Sequence, residues 1–238
     1  MVATLTQQAA ELLGLKLTPE QETQFAIYTR ELAAWNAHTN LTAITDSQAV
    51  QVRHHLDSLS VVKVLTISAG MRVIDVGTGA GFPGLPLRIV FPDIDLVLME
   101  ATGKKVAFLD HMIATLQLTR TTTLHARAEE AGQMPQHRAA YDLVLARSVA
   151  RLPALAEYML PLAKVGGYCI AMKGKTAVQE SKDAQHAIKL LGGRVKNIES
   201  IMLPDIADEH FLVVIEKIAP TPAAYPRKPG TPTNKPLG

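Results

Sequence analysis

The first long pattern in the chain is helical. Phe25, Tyr28, Leu32 and Trp35 recur at three- and four-residue steps, which draws one apolar stripe along a helix. Thr18-Pro-Glu-Gln21 stands directly before it as an N-cap, a proline at the first helical position and a capping-box glutamine, so the stripe predicts a helix opening near Pro19. With the apolar positions from Leu5 to Leu17 ahead of it, residues 1–70 read as an N-terminal helical cap whose aromatic residues pack against a core instead of stacking on bases. From Met71 the rhythm changes. Short apolar runs alternate with helical patterns: Arg72 to Val76, Asp95 to Glu100, Thr121 to Ala126, Tyr141 to Ala146, Gly167 to Met172, Arg194 to Ile201 and Phe211 to Lys217. Seven strands with intervening helices predict a doubly wound, mostly parallel α/β sheet over residues 71–218. Only the loop from Leu203 to His210 separates the last two runs, so they are expected to pair as a hairpin and make the last strand antiparallel.

Chemistry enters at the first strand. Val73-Ile-Asp-Val-Gly-Thr-Gly-Ala-Gly-Phe82 is an apolar run that ends in an acid and opens onto three alternate glycines. Gly77, Gly79 and Gly81 let the chain turn sharply and bring backbone amides against a ligand. Asp75 decides between ligands: a carboxylate at the strand tip receives the cationic amino group of S-adenosylmethionine and repels a pyrophosphate. Gly79-Ala-Gly-Phe-Pro-Gly84 also satisfies the letters of the dinucleotide pattern G-x-G-x-x-G. That pattern, however, wants its first glycine directly at the strand end, and Pro83 and Pro86 crowd the first helical turn here. The strand count and final hairpin match the sheet of class I S-adenosylmethionine-dependent methyltransferases, where ligands sit beyond the carboxyl ends of the strands.

Those ends carry a set of candidates. Glu100 is placed to accept both ribose hydroxyls, or is a solvated strand-end charge. Ala128 and Glu129 would border the adenine through a backbone amide and a carboxylate, with Glu130 fitting equally well. Phe82 covers the cofactor from one side or fills the core between helix and sheet. Arg147, after the fourth strand, is the candidate catalytic group: it donates to an acceptor oxygen or to the cofactor, or else makes a structural salt bridge. The chain has neither Asn-Pro-Pro-Tyr nor Asp-Pro-Pro-Tyr to grip an exocyclic amine, and no Pro-Cys nucleophile for a pyrimidine ring carbon. An acceptor with an exposed lone pair, such as a purine N7, needs no general base. Positioning alone can then lower the barrier by roughly 7–11 kcal/mol.

Composition changes this picture little. A chain of 238 residues with 47% hydrophobic content can bury a full core. No run is an uninterrupted membrane span and the N-terminus has no basic leader, so a cytoplasmic, monomeric protein without membrane contact is expected. Cys169 lies alone in an apolar run and reads as core. The eight histidines show no metal-ligand spacing, so no metal is expected, and His54 and His55, as neighbours, should point apart. The net charge of +2 announces no nucleic acid by itself. Residues 219–238 form a proline-rich basic tail, expected to be extended and too rich in proline for a helix: a disordered solubilising end or a phosphate-contacting arm.

Several motifs together resemble one family. They are Trp35-Asn36 with Asn40-Leu-Thr-Ala-Ile44, Arg53-His54 with Leu56-Asp-Ser-Leu59, Asp75 through Pro86, Lys104-Lys105 with Phe108-Leu109, Arg127-Ala-Glu129, Arg147-Ser-Val-Ala150, Met172-Lys-Gly174 and the tail from Tyr225. The chain is similar to the RsmG or GidB family of small-subunit ribosomal RNA guanine-N7 methyltransferases. That resemblance implies S-adenosylmethionine as donor and a guanine in the decoding-region loop of 16S rRNA, free or in the small subunit, as acceptor. It implies Gly77, Phe82, Ala128, Glu129 and Arg147 as cofactor contacts, and makes His54, Asp57, Lys104, Lys173, Arg227 and Lys228 candidates for the RNA side. Met99 precedes Glu100 where an aspartate would strengthen the ribose contact. A methyltransferase acting on a small molecule or a protein, and a non-catalytic ribosome-assembly factor with this fold, are the alternatives.

Overall fold

Apolar strands between amphipathic helices can hide both faces of a sheet only by layering helices on each side. The computed structural model, which describes residues 3–237, does this in the predicted order. Helices α1 (Leu5–Leu13) and α2 (Pro19–Thr39) each open on a capping box, Thr4 with Gln7 and Thr18 with Gln21. Then α3 (Ser47–Val50), a π turn (Gln51–Leu56), α4 (Asp57–Leu59) and a 3-10 turn (Ser60–Lys63) follow one another without a break. The sheet layer runs β1 (Arg72–Val76), α5 (Gly84–Val90), β2 (Asp95–Glu100), α6 (Gly103–Thr115), β3 (Thr121–His125), α7 (Ala128–Ala131), β4 (Tyr141–Arg147), α8 (Leu152–Met159) and β5 (Ala163–Lys173). It ends with α9 (Ala177–Asp183), α10 (Gln185–Leu190), β6 (Gly193–Ile201), β7 (His210–Lys217) and α11 (Thr231–Asn234).

The strand order is β3-β2-β1-β4-β5-β7-β6. Only β7 runs against the rest, pairing antiparallel with β5 and with β6 as the hairpin required. Connections leave β1 toward β2 on one side while β4 lies on the other, so the order reverses between β1 and β4 and opens a crevice beyond their carboxyl ends. Alternate residues of the strands feed two cores. Val73, Leu98 and Leu145 face one with Leu85 and Phe108, whereas Ile74, Val144 and Ala146 face the other with Leu155 and Met159.

The N-terminal cap has no core of its own. Phe25, Tyr28, Leu32, Leu56 and Leu59 are buried in the first of those clusters, and Trp35 lies against Phe108 with ring centroids 5.6 Å apart. Gln21 completes the docking by donating to the carbonyls of Ile89 and Val90 at the end of α5. The stripe on α2 is therefore packing, as its period implied. Cys169 is likewise buried core, and burial pushes its thiol up to about 12.

The tail departs from expectation. It is neither extended nor free of helix: α11 forms with Pro232 in its first turn, where a missing N–H breaks no hydrogen bond. Arg227 is not an exposed RNA-side cation. Its guanidinium grips both oxygens of Glu157, a carboxylate with no exposed surface, at 2.7–3.1 Å. No cue near Arg227 in the sequence announces a partner seventy residues earlier on α8.

Candidate cofactor and acceptor site

The glycine loop leaves β1 where the sheet switches direction. Gly77 has φ 64, and a Cβ there would lie 2.8 Å from Val149 Cγ2, so no side chain fits between β1 and the segment after β4. Gly81 is equally constrained at φ 97, with Tyr28 Oη 2.7 Å from where its Cβ would be. Asp75 is fully buried beneath the loop. Its Oδ2 accepts from Thr78 Oγ1 at 2.6 Å and from the Gly84 N–H at 2.8 Å, while Oδ1 has no partner among the described residues. Burial raises its carboxyl from 3.8 to about 7, and the bonds from Thr78 and Gly84 offset this only in part. The expected direct contact of Asp75 with a cationic amino group is thus not what this side chain is doing: the loop and the start of α5 hang from it.

Beyond the loop lies a cavity of about 260 Å³ whose wall includes Gly77, Glu100, Ala128, Glu129, Tyr158 and Thr233. Glu100 is fixed at the end of β2, Oε2 accepting from Gly79 N–H at 3.1 Å and Oε1 from Thr102 N–H at 2.9 Å. Each carboxylate oxygen can accept a further bond, so Glu100 keeps capacity for a pair of ribose hydroxyls. Glu129 reaches the cavity and accepts from Gly230 N–H at 2.8 Å, whereas Glu130 turns back to accept from Arg127 N–H and cap α7. A glycine wall, a carboxylate with spare lone pairs and an acid beside the backbone of Ala128 are the donor set that an adenosine with a charged amino-acid arm requires. No group of three histidine, cysteine or carboxylate side chains among the described residues is arranged to hold a metal ion.

Arg147 closes β4 on the opposite side of the loop. Its Nη1 donates to Arg53 O at 2.8 Å and to Asp57 Oδ2 at 3.0 Å, and its Nη2 donates to His54 Nδ1 at 3.0 Å. The guanidinium lies 5.1 Å over the Phe82 ring. Phe82 is sandwiched between Tyr28 and His54, with centroids 5.1 and 4.5 Å away, and is only 4% exposed. Of its two readings, the structure gives the core-filling one. His54 and His55 do not diverge as expected of neighbours, because both lie in the π turn, and both rings meet Phe82. Burial, then the Arg147 charge, lowers His54 to about 4; burial, then His54 and Arg147, lowers His55 to about 3. Since arginine only donates, Nδ1 of the neutral His54 accepts, and Nε2–H is left to donate to Thr42 Oγ1 at 2.8 Å.

A larger cavity of about 620 Å³ opens beside this network, lined among others by Arg53, His54, Asp57, Arg147, Lys173 and His210. Asp57 bridges it, holding Arg147 with one oxygen and His210 Nδ1 with the other at 3.2 Å. His210 was not legible as a site residue. It opens β7, and in an antiparallel strand the first residue, not the last, lies at the carboxyl edge of its parallel neighbours. Lys173 is on the cavity wall but committed to Glu180 at 2.7 Å and to Ala150 O. Lys104, in the first turn of α6, and Lys228 are exposed.

Fold and site together define a class I methyltransferase. Solved neighbours share the architecture: an S-adenosylmethionine-dependent methyltransferase from Aquifex aeolicus superposes with a TM-score of 0.52 at 17% identity, over 71% of this chain and 93% of that one. TrmN from Thermus thermophilus superposes with 0.53 at 18% identity, over 68% of this chain and about half (48%) of its own. The particular family is set by sequence: the chain belongs to the GidB family, rRNA small subunit methyltransferase G, which it matches over residues 21–211. It is 50% identical to the ribosomal RNA small subunit methyltransferase G of Roseiflexus sp. strain RS-1, over 96% of this chain and 97% of that protein. It is 46% identical to the enzyme of that name from Desulforamulus reducens, over 97% and 96%.

Proposed function

We propose that this enzyme transfers a methyl group from S-adenosylmethionine to N7 of one guanine in the decoding-region loop of 16S rRNA. The observation that carries the acceptor is the state of the groups around Arg147. His54 stays neutral to about pH 4 and spends its Nδ1 on Arg147, and both Asp57 oxygens are engaged, so none of the three stands free to take a proton. A purine N7 gives up no proton when it attacks, so it suits a site without a free base. When bound, S-adenosylmethionine supplies an electrophilic sulfonium methyl. Around it, Asp75 with Thr78 and Gly84 keeps the glycine loop in shape, Gly77 and the amides of Gly79 and Gly81 face the ligand, Glu100 takes the ribose, and Ala128 and Glu129 take the adenine. Arg147, held on three sides and braced on Phe82, fixes the wall between donor and acceptor and is the candidate catalytic group.

The RNA side of this reading uses His54 and Asp57 at the acceptor cavity, Lys173 on its rim, and the exposed Lys104 and Lys228. Arg227 leaves that set because of Glu157. With so few free cations, affinity rests on shape and a short phosphate track, and binding still falls with salt. The guanine must be unstacked before its N7 reaches the donor, at a cost of a few kcal/mol. The protein acts as a monomer in the cytoplasm, without membrane contact, on the rRNA or the assembling small subunit.

The test is methyl transfer from labelled S-adenosylmethionine to unmethylated 16S rRNA and small subunits, with the product located by cleavage specific for N7-methylguanosine. One labelled guanine in the decoding-region loop is expected. Label entering a metabolite or protein extract but not rRNA would move the acceptor to a small molecule or a protein. Binding of S-adenosylhomocysteine with no transfer to any ribosomal substrate would leave an assembly factor.

A further inference from the structure

The segment after β7 is tied down along its whole length, and the ties converge on the cofactor cavity. Lys217, buried at the end of β7, donates to Leu191 O at 2.6 Å. Arg138 then gathers the turn that follows, donating to the carbonyls of Thr221, Pro222 and Tyr225 as well as Gly132. Arg227 meets the buried Glu157, and its Nη2 also donates to Lys235 O at 2.8 Å, which folds the last residues back. Pro226 and Pro232 are buried. A solubilising end has no reason to neutralise a fully buried carboxylate or to bury two prolines.

The last ties reach the site itself. Gly230 N–H is the donor that fixes Glu129 Oε1, and Thr233 Oγ1 lies 2.7 Å from Tyr158 Oη. Thr233 and Tyr158 share the cavity wall with Gly77, Glu100 and Ala128. A threonine hydroxyl offers one donor and two acceptor positions, so its bond to Tyr158 leaves capacity facing the cavity. Glu129 is in a similar state: Oε2 has no hydrogen-bond partner among the described residues.

We propose that residues 230–237 form one wall of the cofactor site and that Thr233, held by Tyr158, is a positioning residue for the adenosine half of S-adenosylmethionine; this rests on the methyltransferase reading above. The backbone at Gly230 aims Glu129 and the hydroxyl at Thr233 adds a polar contact. The tail thus belongs to donor binding, not to the RNA track.

The experiment compares the full chain with a chain ended after Pro229, which keeps the Arg227 to Glu157 pair, and with Thr233→Val and Thr233→Ser in the full chain. Binding of S-adenosylhomocysteine is read by calorimetry, folding by thermal melts, and methyl transfer by steady-state kinetics on 16S rRNA. Truncation is expected to weaken S-adenosylhomocysteine roughly tenfold or more, and Thr233→Val roughly three- to tenfold, the worth of one hydrogen bond. The KM for S-adenosylmethionine should rise in step, while kcat and the KM for rRNA hold, and Thr233→Ser should restore binding. If the truncated chain fails to fold, Thr233→Val decides. Unchanged S-adenosylhomocysteine affinity in Thr233→Val and in a folded truncation overturns the proposal, as does a rise in the KM for rRNA alone, which would make the tail a phosphate arm. Failure of the full chain to bind S-adenosylhomocysteine would overturn the methyltransferase reading instead.

Discussion

On one side of Gly77 the N-terminal cap reaches the strand tips through stacked rings; on the other the C-terminal tail reaches them through backbone hydrogen bonds and an ion pair. Tyr28, Phe82 and His54 form a buried stack, and Tyr28 Oη donates to Ala80 O in the glycine loop at 2.5 Å. Those residues share a core cluster with the sheet, so disturbing them disturbs folding. The tail adds little apolar area to either core. Its contacts are local, and the tail can lift away without opening the sheet. The same cleft is therefore built from a wall that belongs to the global fold and a wall that belongs to the site alone.

The sharpest test of this contrast sets two arginines against each other. Arg147→Ala strips the partner from Asp57, which is 4% exposed, and should cost roughly 3–5 kcal/mol in urea unfolding as well as turnover. Arg227→Ala strips Glu157, but the tail can open and admit water, so a loss of about 2 kcal/mol is expected. Equal losses would mean that both walls belong to the global fold.

Asp75→Ala removes two accepted hydrogen bonds beneath the loop. It should lower stability by about 2–3 kcal/mol and weaken S-adenosylhomocysteine together. Weaker binding at unchanged stability would restore the direct amino-group contact.

Acid should act on the cap side. The unfolded chain protonates His54 and His55 near 6.5, the folded one only near 4 and 3, so stability from these groups falls as pH drops through that window. Asp75 has the opposite sign: folded, it holds its proton up to about 7, so its contribution is full below 3.8 and is lost as pH rises through 7. From about pH 6 to about 4.5, two groups oppose one, a net loss of about 1 kcal/mol per pH unit. Asp75→Asn should steepen that slope in urea midpoints measured across the window; an unchanged slope removes Asp75 from the account.

The smallest effect expected is that of Tyr28→Phe, which keeps the stack and deletes the bond to Ala80 O. About 1 kcal/mol should be lost in urea unfolding, with donor affinity nearly intact. No loss would mean that the stack alone joins cap to loop.

What the sequence disclosed divides along the same line. The stripe on α2, the Thr18 to Gln21 capping box, the seven strands and the final hairpin are periodic or short-range signals, and the structure has each of them. The glycine loop and Glu100 were legible because a strand end fixes where a side chain goes. Contacts between distant segments were not. Glu157 looks like one more polar residue of a helix until Arg227 arrives beside it, and Tyr158 gives no sign that Thr233 will meet its hydroxyl. His210 was missed because strand direction, and not strand identity, decides which end faces the crevice. Asp75 was correctly singled out as special, but its environment turned it inward, toward the amide of Gly84.

The π turn at Gln51–Leu56 carries a consequence for the length of the chain. An i→i+5 turn holds one residue more than an α turn would over the same path. Deleting any one residue from this stretch would let it relax to an ordinary helix and rotate everything after it by about 100°. Asp57 would then swing away from both Arg147 and His210, and the two imidazoles would lose their shared ring. The acceptor cavity thus depends on a count of residues as strictly as on their kinds: a deletion that leaves every named side chain in the sequence would dismantle it.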